Sequence, residues 1–298
     1  MMTMMAITFA VSQVLDTYTG RWERMNCTGE CPGRRFGHSC VYYNGMVIIF
    51  GGSSSHFLYR DNNILFCLDV KNWKWSKKQC TGTPPQERSS HSMTVVDNKA
   101  YVFGGFNRTD VIGDIVVLDL NTLEWTFPLV EGQRPRARAV HRVVAMGDNL
   151  LLFGGRTLHG EKLNDLHWFC TKTLQWWQDP KIIGTPPAAR GGCTMVAIKN
   201  KVLVFFGRDQ NESCLFDGVH MLVTFPQQPG RAPEWRTPTV IHEAGSVNGP
   251  SARSAHGFVV AEGKVVVFGG YMGRTRTLND LWFLRFGPSI ECEKIKPE

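Results

Sequence analysis

The sequence predicts an all-β protein assembled from five repeats, and three observations support this prediction. A hydrophobic run that ends in glycine returns five times along the chain, as VIIFGGS, AYVFGGF, LLFGGRT, LVFFGRD and VVFGGYM. An arginine stands fifteen residues before the phenylalanine of each run, and an aspartate follows that phenylalanine by eleven or twelve residues. Because these markers keep one phase over nearly the whole chain, the repeats are copies of a single structural element.

Two further residue types keep the same phase. A histidine stands three residues after the arginine in four repeats, and a tryptophan follows the aspartate in four repeats. Fixed positions on short apolar segments predict structural side chains that pack between neighbouring elements. The four sets are Arg35, Arg88, Arg138, Arg190 and Arg253; Asp61, Asp114, Asp165, Asp217 and Asp280; His38, His91, His141 and His256, with Cys193 in the fourth repeat; and Trp75, Trp125, Trp176 and Trp235.

Within one repeat the segments are short and strand-like. In the second repeat, DNK at the junction of SMTVVD and KAYVFGG predicts a hairpin turn. After it, DIVVLDL leads into NTLEW. Four antiparallel strands in about fifty residues form a sheet with two apolar faces, and a ring of such sheets buries both faces as a β-propeller. The predicted repeats cover residues 34–80, 88–130, 138–182, 190–237 and 253–287, within a single domain over residues 1–298.

The N-terminal segment is predicted to close the ring. VLDTYTGRW matches CLDVKNWKW in its spacing from aspartate to tryptophan, so residues 10–24 contain an outer strand. We expect the strand of Trp22 to complete the fifth blade and give a five-bladed ring. The alternative is a partial sixth blade, in which AITFAVSQVLD supplies a third strand and IECEKI at 290–295 forms a fourth strand.

Composition excludes several classes of protein. The chain has 298 residues, of which 43% are hydrophobic and 20% charged, and no apolar run approaches the length of a membrane span. Nine scattered cysteines predict free thiols in a reducing compartment, hence the cytoplasm or the nucleus. A net charge of +7 favours acidic partners.

The arginine, the histidine, the FGG runs, LNDL at 163–166 and 278–281 and the tryptophan together resemble the kelch-repeat family. The resemblance covers about residues 10–287 and implies a kelch-type propeller that acts as a protein-binding adaptor without catalytic residues, cofactor or metal. The fourth repeat departs from the pattern, because FFGR replaces FGG. PRARAVH, FGGR and LNDLHWF are similar to kelch substrate receptors of cullin-type ubiquitin ligases, which implies cullin-ligase components as partners.

Strand alternation places the candidate binding site. The arginines and the residues after each double glycine belong to the same end of every blade, where a guanidinium can bind a carboxylate through two hydrogen bonds. We therefore expect this end to bind an acidic segment or a C-terminal carboxylate. Replacing Arg88, Arg138 and Arg253 together by alanine is then expected to abolish binding and to leave the fold nearly intact. The opposing interpretation is that the arginines hold the blades together. The candidate residues are Arg35, Arg88, Arg138, Arg190, Arg253, Arg156, Arg208 and Tyr271.

The alternative function is a metal-dependent enzyme. Plant specifier proteins with kelch repeats hold iron through a Glu-x3-Asp-x3-His pattern, and here Glu161 and Asp165 fit while Phe169 stands at the third position. Nucleic-acid binding ranks last, because stacking aromatic residues are few.

Overall fold

The structure is all-β throughout the part of the chain that it covers. The computed structural model describes residues 4–8, 11–53, 63–178, 181–215, 218–228, 230–242, 249–273, 276–286 and 290–295, without the side chains of residues 4–8, 11–12 and 241–242. Within these ranges, no helix is long and apolar enough to cross a membrane. The chain divides into two compact units: unit A comprises residues 7–12 and 25–178, and unit B comprises residues 1–6, 13–24 and 179–298.

The first sheet has three strands, in the order β1-β2-β3. They are β1 (Met4–Thr8), β2 (Val11–Leu15) and β3 (Trp22–Met25). Asp16 follows β2, and its Oδ1 accepts hydrogen bonds from the backbone N–H groups of Tyr18 and Thr19. Asp69 and Asp119 make the same turn later in the chain, so the matching Asp-to-Trp spacing identified a real hairpin.

Unit A contains three five-stranded blades, each with four antiparallel strands and one short parallel strand at the outer edge. Blade 1 consists of β4 (Thr28–Gly29), β5 (Phe36–Tyr43), β6 (Met46–Ser53), β7 (Leu65–Asp69) and β8 (Lys74–Lys78). Blade 2 consists of β9 (Thr81–Gly82), β10 (Ser92–Val96), β11 (Lys99–Phe106), β12 (Val111–Asp119) and β13 (Glu124–Thr126). Blade 3 consists of β14 (Glu131–Gly132), β15 (Arg142–Met146), β16 (Asn149–Phe153), β17 (Leu166–Cys170) and β18 (Gln175–Trp177).

Unit B contains two further blades of the same kind. Blade 4 consists of β19 (Thr194–Ile198), β20 (Lys201–Phe205), β21 (His220–Val223) and β22 (Glu234–Arg236). Blade 5 consists of β23 (Val240–His242), β24 (Gly257–Ala261), β25 (Lys264–Met272), β26 (Arg276–Phe286) and β27 (Ile290–Ile295). Five successive blades confirm the predicted all-β, five-bladed propeller class, with four antiparallel strands in each blade.

A short segment lies on the outer edge of each blade. Thr81 and Gly82 pair in parallel with Glu124 and Trp125, and an isolated parallel bridge between Ile183 and Glu234 takes this place in blade 4. The segment precedes the innermost strand of its own blade, so the chain binds the outer edge before it crosses to the inside. These backbone hydrogen bonds cover part of an edge that could otherwise pair with another chain.

Within each unit, hydrophobic cores lie between successive blades. The ring of Phe50 in blade 1 is 5.1 Å from that of Trp125 in blade 2, and Phe103 in blade 2 is 5.2 Å from Trp176 in blade 3. All four side chains are buried, and full burial of one aromatic side chain contributes about 1.5–3 kcal/mol. The prediction that the repeated tryptophans are packing residues is confirmed for these two positions.

The structure corrects the assignment of the strand that carries Trp22. The outer antiparallel strand of blade 5 is β27, which pairs with β26, whereas β3 pairs with β2 in its own sheet. The ring of Trp22 lies 4.9 Å from Phe268 of blade 5, the same type of contact that Trp125 makes with Phe50. β1 to β3 thus form a three-stranded sheet of their own in addition to the five blades, and this corresponds to the alternative of a partial sixth blade.

Candidate functional site

The arginine at the start of each repeat is bound within its own blade. Arg138 donates its Nε–H to the carbonyl oxygen of Arg136 at 3.0 Å and an Nη1–H to the carbonyl oxygen of Gly154 at 3.0 Å. Both bonds recur at the same sequence offsets for Arg35, Arg88, Arg190 and Arg253. The side chain thus ties the segment before the first strand to the residue that directly follows the repeated phenylalanine of the second strand, a glycine in four blades and Phe206 in blade 4.

In three blades, the aspartate of the same repeat completes this arrangement. Arg138 donates to both carboxylate oxygens of Asp165, at 2.6 and 2.7 Å. Burial alone would raise the pKa of the Asp165 carboxyl, but hydrogen bonds from Arg138 and His167 outweigh it and hold that pKa well below its usual range. The other bidentate pairs are Arg88 with Asp114 and Arg253 with Asp280. Asp61 and Asp217 lie outside the described residues.

This geometry corrects the predicted role of the arginines. The side chains of Arg88, Arg138, Arg190 and Arg253 have no exposed surface, and that of Arg35 is partly buried. A guanidinium whose N–H donors bind carbonyl and carboxylate oxygens of its own blade has little to offer a partner. The opposing interpretation, that these side chains hold the fold together, describes the four fully buried arginines.

The double glycine connects one blade to the next. Gly51 and Gly52 have φ values of 69° and 96°, and the N–H of Gly52 donates to the carbonyl oxygen of Arg88 in blade 2 at 2.9 Å. A Cβ atom on Gly51 would overlap that oxygen and the ring of His91. The recurring FGG run is therefore explained by a left-handed backbone and a close approach between blades.

The repeated histidines are structural. Phe103 in blade 2 packs edge-on against His141 in blade 3, with ring centroids 5.2 Å apart, and Nε2 of His141 is 2.9 Å from Oγ of Ser92. Burial and the nearby charge of Arg138 lower the pKa of His141 to about 3. The same two causes lower the pKa of His91 well below its usual value, with Arg88 as the neighbouring charge.

We expect the stability of the chain to fall as the pH drops below about 6.5. The histidines of the unfolded chain then bind protons, whereas the buried histidines of the folded chain, whose pKa is lower, stay neutral. For His141, with a folded pKa of about 3, the loss at pH 5 is about 2 kcal/mol. Urea unfolding of the wild type and of His141→Phe at pH 7 and pH 5 measures this loss of stability. The variant should lose correspondingly less stability on acidification, and an unchanged pH dependence would contradict the assignment.

Three of the predicted binding residues retain exposed surface beside the glycine turns. Arg156 lies in unit A, and its guanidinium carbon is 4.6 Å from the ring centroid of Phe106. Within the described part of the chain its guanidinium makes no hydrogen bond or ion pair. Arg208 and Tyr271 lie in unit B. Arg208 donates to Oγ of Ser254 at 2.7 Å and also approaches Glu212, while Tyr271 is 46% exposed.

Sequence reasoning missed one exposed aromatic residue among the candidates. Phe36 directly follows Arg35, and 60% of its surface is exposed. The corresponding residues of the other repeats are Ser89, Ala139, Gly191 and Ser254. A large apolar side chain at a position that is otherwise small was the signal that could have identified it.

The residues of the possible iron site are occupied by other interactions. Both carboxylate oxygens of Glu161 accept hydrogen bonds from Arg136, and both oxygens of Asp165 accept from Arg138. Phe169 is fully buried in the core between blades 2 and 3. Among the described residues, no group of three or more histidine, cysteine, aspartate or glutamate side chains could hold a metal ion.

A family model and several known proteins resemble the chain. The model described as the KLHDC2/KLHL20/DRC7 Kelch-repeats domain matches residues 8–176 and 140–296. The human Rab9 effector protein with kelch motifs is 30% identical over 62% of this chain and 52% of its own length. Acyl-CoA-binding domain-containing protein 5 of Arabidopsis thaliana is 28% identical over 84% of this chain and 38% of its own length.

A third similar protein is matched over more of its length. Kelch domain-containing protein 3 of Rattus norvegicus is 29% identical over 87% of this chain and 70% of its own length. The chain spans about half, or less, of the length of the first of these relatives. What those longer proteins do as a whole therefore does not transfer directly.

Proposed function

The chain belongs to the kelch-repeat family, and on that premise we propose that it is a non-enzymatic adaptor that binds an acidic segment or a C-terminal carboxylate of a partner protein. Kelch-repeat proteins are in general protein-interaction modules. The finer assignment, that the ligand is acidic and that Arg156 binds it, is our inference from the side chains at the blade ends.

The environment of Arg156 is the main support. The buried arginines of unit A donate their N–H groups to oxygen atoms of their own blades. The guanidinium of Arg156, by contrast, lies over the ring of Phe106 and has no polar partner among the residues described. Stacking on an aromatic ring holds the guanidinium plane in place and leaves its N–H edge for a ligand. A carboxylate matches that edge through two parallel hydrogen bonds.

The charge of the chain supports the same ligand class. The net charge of +7 attracts acidic segments over a distance and raises their association rate. Long-range attraction alone does not give specificity, however, and any exposed arginine would contribute to it. A test must therefore separate Arg156 from an arginine that is exposed but already paired.

We expect Arg156→Ala to weaken the binding of a fluorescein-labelled acidic peptide with a free C-terminus by about tenfold, because a charge-assisted hydrogen bond is lost. Fluorescence anisotropy at physiological salt measures the dissociation constant. The control is Arg136→Ala, which removes the same charge from an exposed pair with Glu161 and should change binding by less than about twofold.

Two further peptides define the ligand. A version with a C-terminal amide tests the terminal carboxylate, and a version with glutamine in place of glutamate tests the acidic side chains. Equal losses for Arg156→Ala and Arg136→Ala would show nonspecific attraction and sink the proposal. Failure of every peptide to bind the wild type would do the same.

Substrate recognition for a cullin-type ubiquitin ligase is the more specific form of this proposal. It rests on the similarity of PRARAVH, FGGR and LNDLHWF to kelch substrate receptors. Co-purification of the tagged chain with cullin and elongin subunits tests it, and their absence would restrict the protein to a free-standing adaptor. We place this binding in the cytoplasm or nucleus, supported by the nine free cysteines.

A further inference from the structure

Unit A contains a cavity whose lining does not include Arg156. It has a volume of about 160 Å³, and its lining includes Asp114, Phe127, Arg134 and Trp176. A cavity of about this size can hold a group as large as benzene. Asp114 lies in the first half of β12, and Phe127 directly follows β13 of blade 2. Arg134 lies between β14 and β15 of blade 3, and Trp176 comes from β18.

Comparison of the three buried Arg–Asp pairs shows what Asp114 lacks. In blade 3, Oδ2 of Asp165 is 2.9 Å from Nε2 of His167, and in blade 5 Oδ2 of Asp280 accepts a hydrogen bond from the indole of Trp282 at 2.7 Å. The corresponding residue in blade 2 is Val116, which has no polar group. Among the residues described, Asp114 accepts side-chain hydrogen bonds from Arg88 alone, and 34% of its side chain is exposed.

Charge limits the group that can occupy the cavity. The carboxylate of Asp114 is balanced by Arg88, and Arg134 adds a second positive charge to the lining. An ammonium group would be repelled by the guanidinium of Arg134, and a carboxylate group would be repelled by the carboxylate of Asp114. A neutral group that both donates and accepts hydrogen bonds avoids both repulsions, and a carboxamide is the side-chain group with that property.

We propose that this cavity binds the carboxamide side chain of a glutamine or asparagine in a peptide segment of a partner protein. The amide NH2 donates to Asp114, and the amide oxygen accepts from Arg134. Arg134 has donors left for this, since its one hydrogen bond in the described residues is to the carbonyl oxygen of Val130 at 2.6 Å. Phe127 and Leu129, which are 48% and 84% exposed, offer apolar contacts to the rest of the segment.

Three small probes test the proposal: the N-acetyl, N-methylamide derivatives of glutamine, glutamate and lysine, which share the same backbone amides. Each is titrated into the 15N-labelled full chain while the signals of the Gly113 amide and the Trp176 indole are followed by NMR. We expect saturable shifts with the glutamine probe, and binding weaker by about tenfold for the other two, as loss of two net hydrogen bonds implies.

Variants of Arg134 complete the test, because replacing Asp114 would also leave Arg88 unpaired. Arg134→Met should weaken binding of the glutamine probe by about fivefold, while Arg136→Met, the same substitution at an exposed arginine outside the cavity, should leave it unchanged. Absence of a saturable shift, equal binding of the glutamate or lysine probe, or equal effects of the two variants would overturn the proposal. None of these outcomes bears on the role of Arg156.

Discussion

Replacing Arg138 by alanine is expected to lower the free energy of unfolding by about 3 kcal/mol, because one partner of a buried ion pair is removed. The fully buried guanidinium binds both oxygens of Asp165 and the carbonyl oxygens of Arg136 and Gly154. In the variant, the carboxylate loses its main partner, and the carbonyls lose their donor. We take the lower end of the usual range because 30% of the Asp165 side chain is exposed to water.

Urea unfolding of three variants measures this effect. Arg138→Lys keeps the charge without the planar fork and should recover part of the loss. Arg136→Ala breaks an ion pair with Glu161 in which both side chains are more than half exposed, so it should cost less than about 1 kcal/mol. If Arg138→Ala were no less stable than Arg136→Ala, Arg138 would not be needed for the stability of the fold. The original prediction that it binds a partner would then have to be tested again.

The strand pattern could be predicted because it depends on local signals. In the second repeat, DNK marked a hairpin whose Asp97 has a left-handed φ of 55°. The turn after Asp119 also formed as expected, since that side chain accepts backbone N–H groups two and three residues later. Each signal lies within a few residues of the feature that it determines, so the sequence alone was sufficient.

The burial of the arginines could not be predicted in the same way. Arg88 and Asp114 are 26 residues apart, and both were identified as repeated markers, yet only the folded blade brings them together. Long-range pairing decides whether a charged side chain is exposed, because a buried guanidinium requires a partner. The antiparallel order of the strands places both residues at the same end of the blade, and opposite charges repeated in phase were the available clue.

The fourth repeat differs from the others in sequence but keeps their backbone conformation. Phe206 stands where the other repeats have the first glycine, yet its φ is 60° and its carbonyl oxygen accepts a hydrogen bond from Arg190 at 3.1 Å. A left-handed conformation costs a residue with a side chain about 1–2 kcal/mol. Full burial of the phenyl ring, which packs 5.0 Å from His256, contributes about as much and offsets that cost.

A second repeated glycine was overlooked in the sequence, and it carries a large expected effect. Glycine stands six residues before the arginine in four repeats, at Gly29, Gly82, Gly132 and Gly184. Gly82 has a φ of 72°, and a Cβ atom there would overlap the carbonyl oxygen of Trp125. Each of these glycines meets the outer tryptophan of its own blade, where the short parallel segment binds the blade edge.

We expect Gly82→Ala to reduce the free energy of unfolding by about 3 kcal/mol, from backbone strain of about 1–2 kcal/mol and the loss of hydrogen bonds as β9 moves away from β13. The backbone bond from the N–H of Thr81 to the carbonyl oxygen of Leu123, 3.0 Å long, lies at the same edge. Gly147→Ala is the matched control: its φ is 58°, but a Cβ atom there meets nothing within 4 Å, so only strain of about 1 kcal/mol remains. Hydrogen exchange of the β13 amides adds a local measurement, since faster exchange in Gly82→Ala than in Gly147→Ala shows that the edge has opened. Equal losses of stability in the two variants would mean that backbone strain alone selects glycine, and that close contact with the tryptophan strand is not what holds β9 on the edge of blade 2.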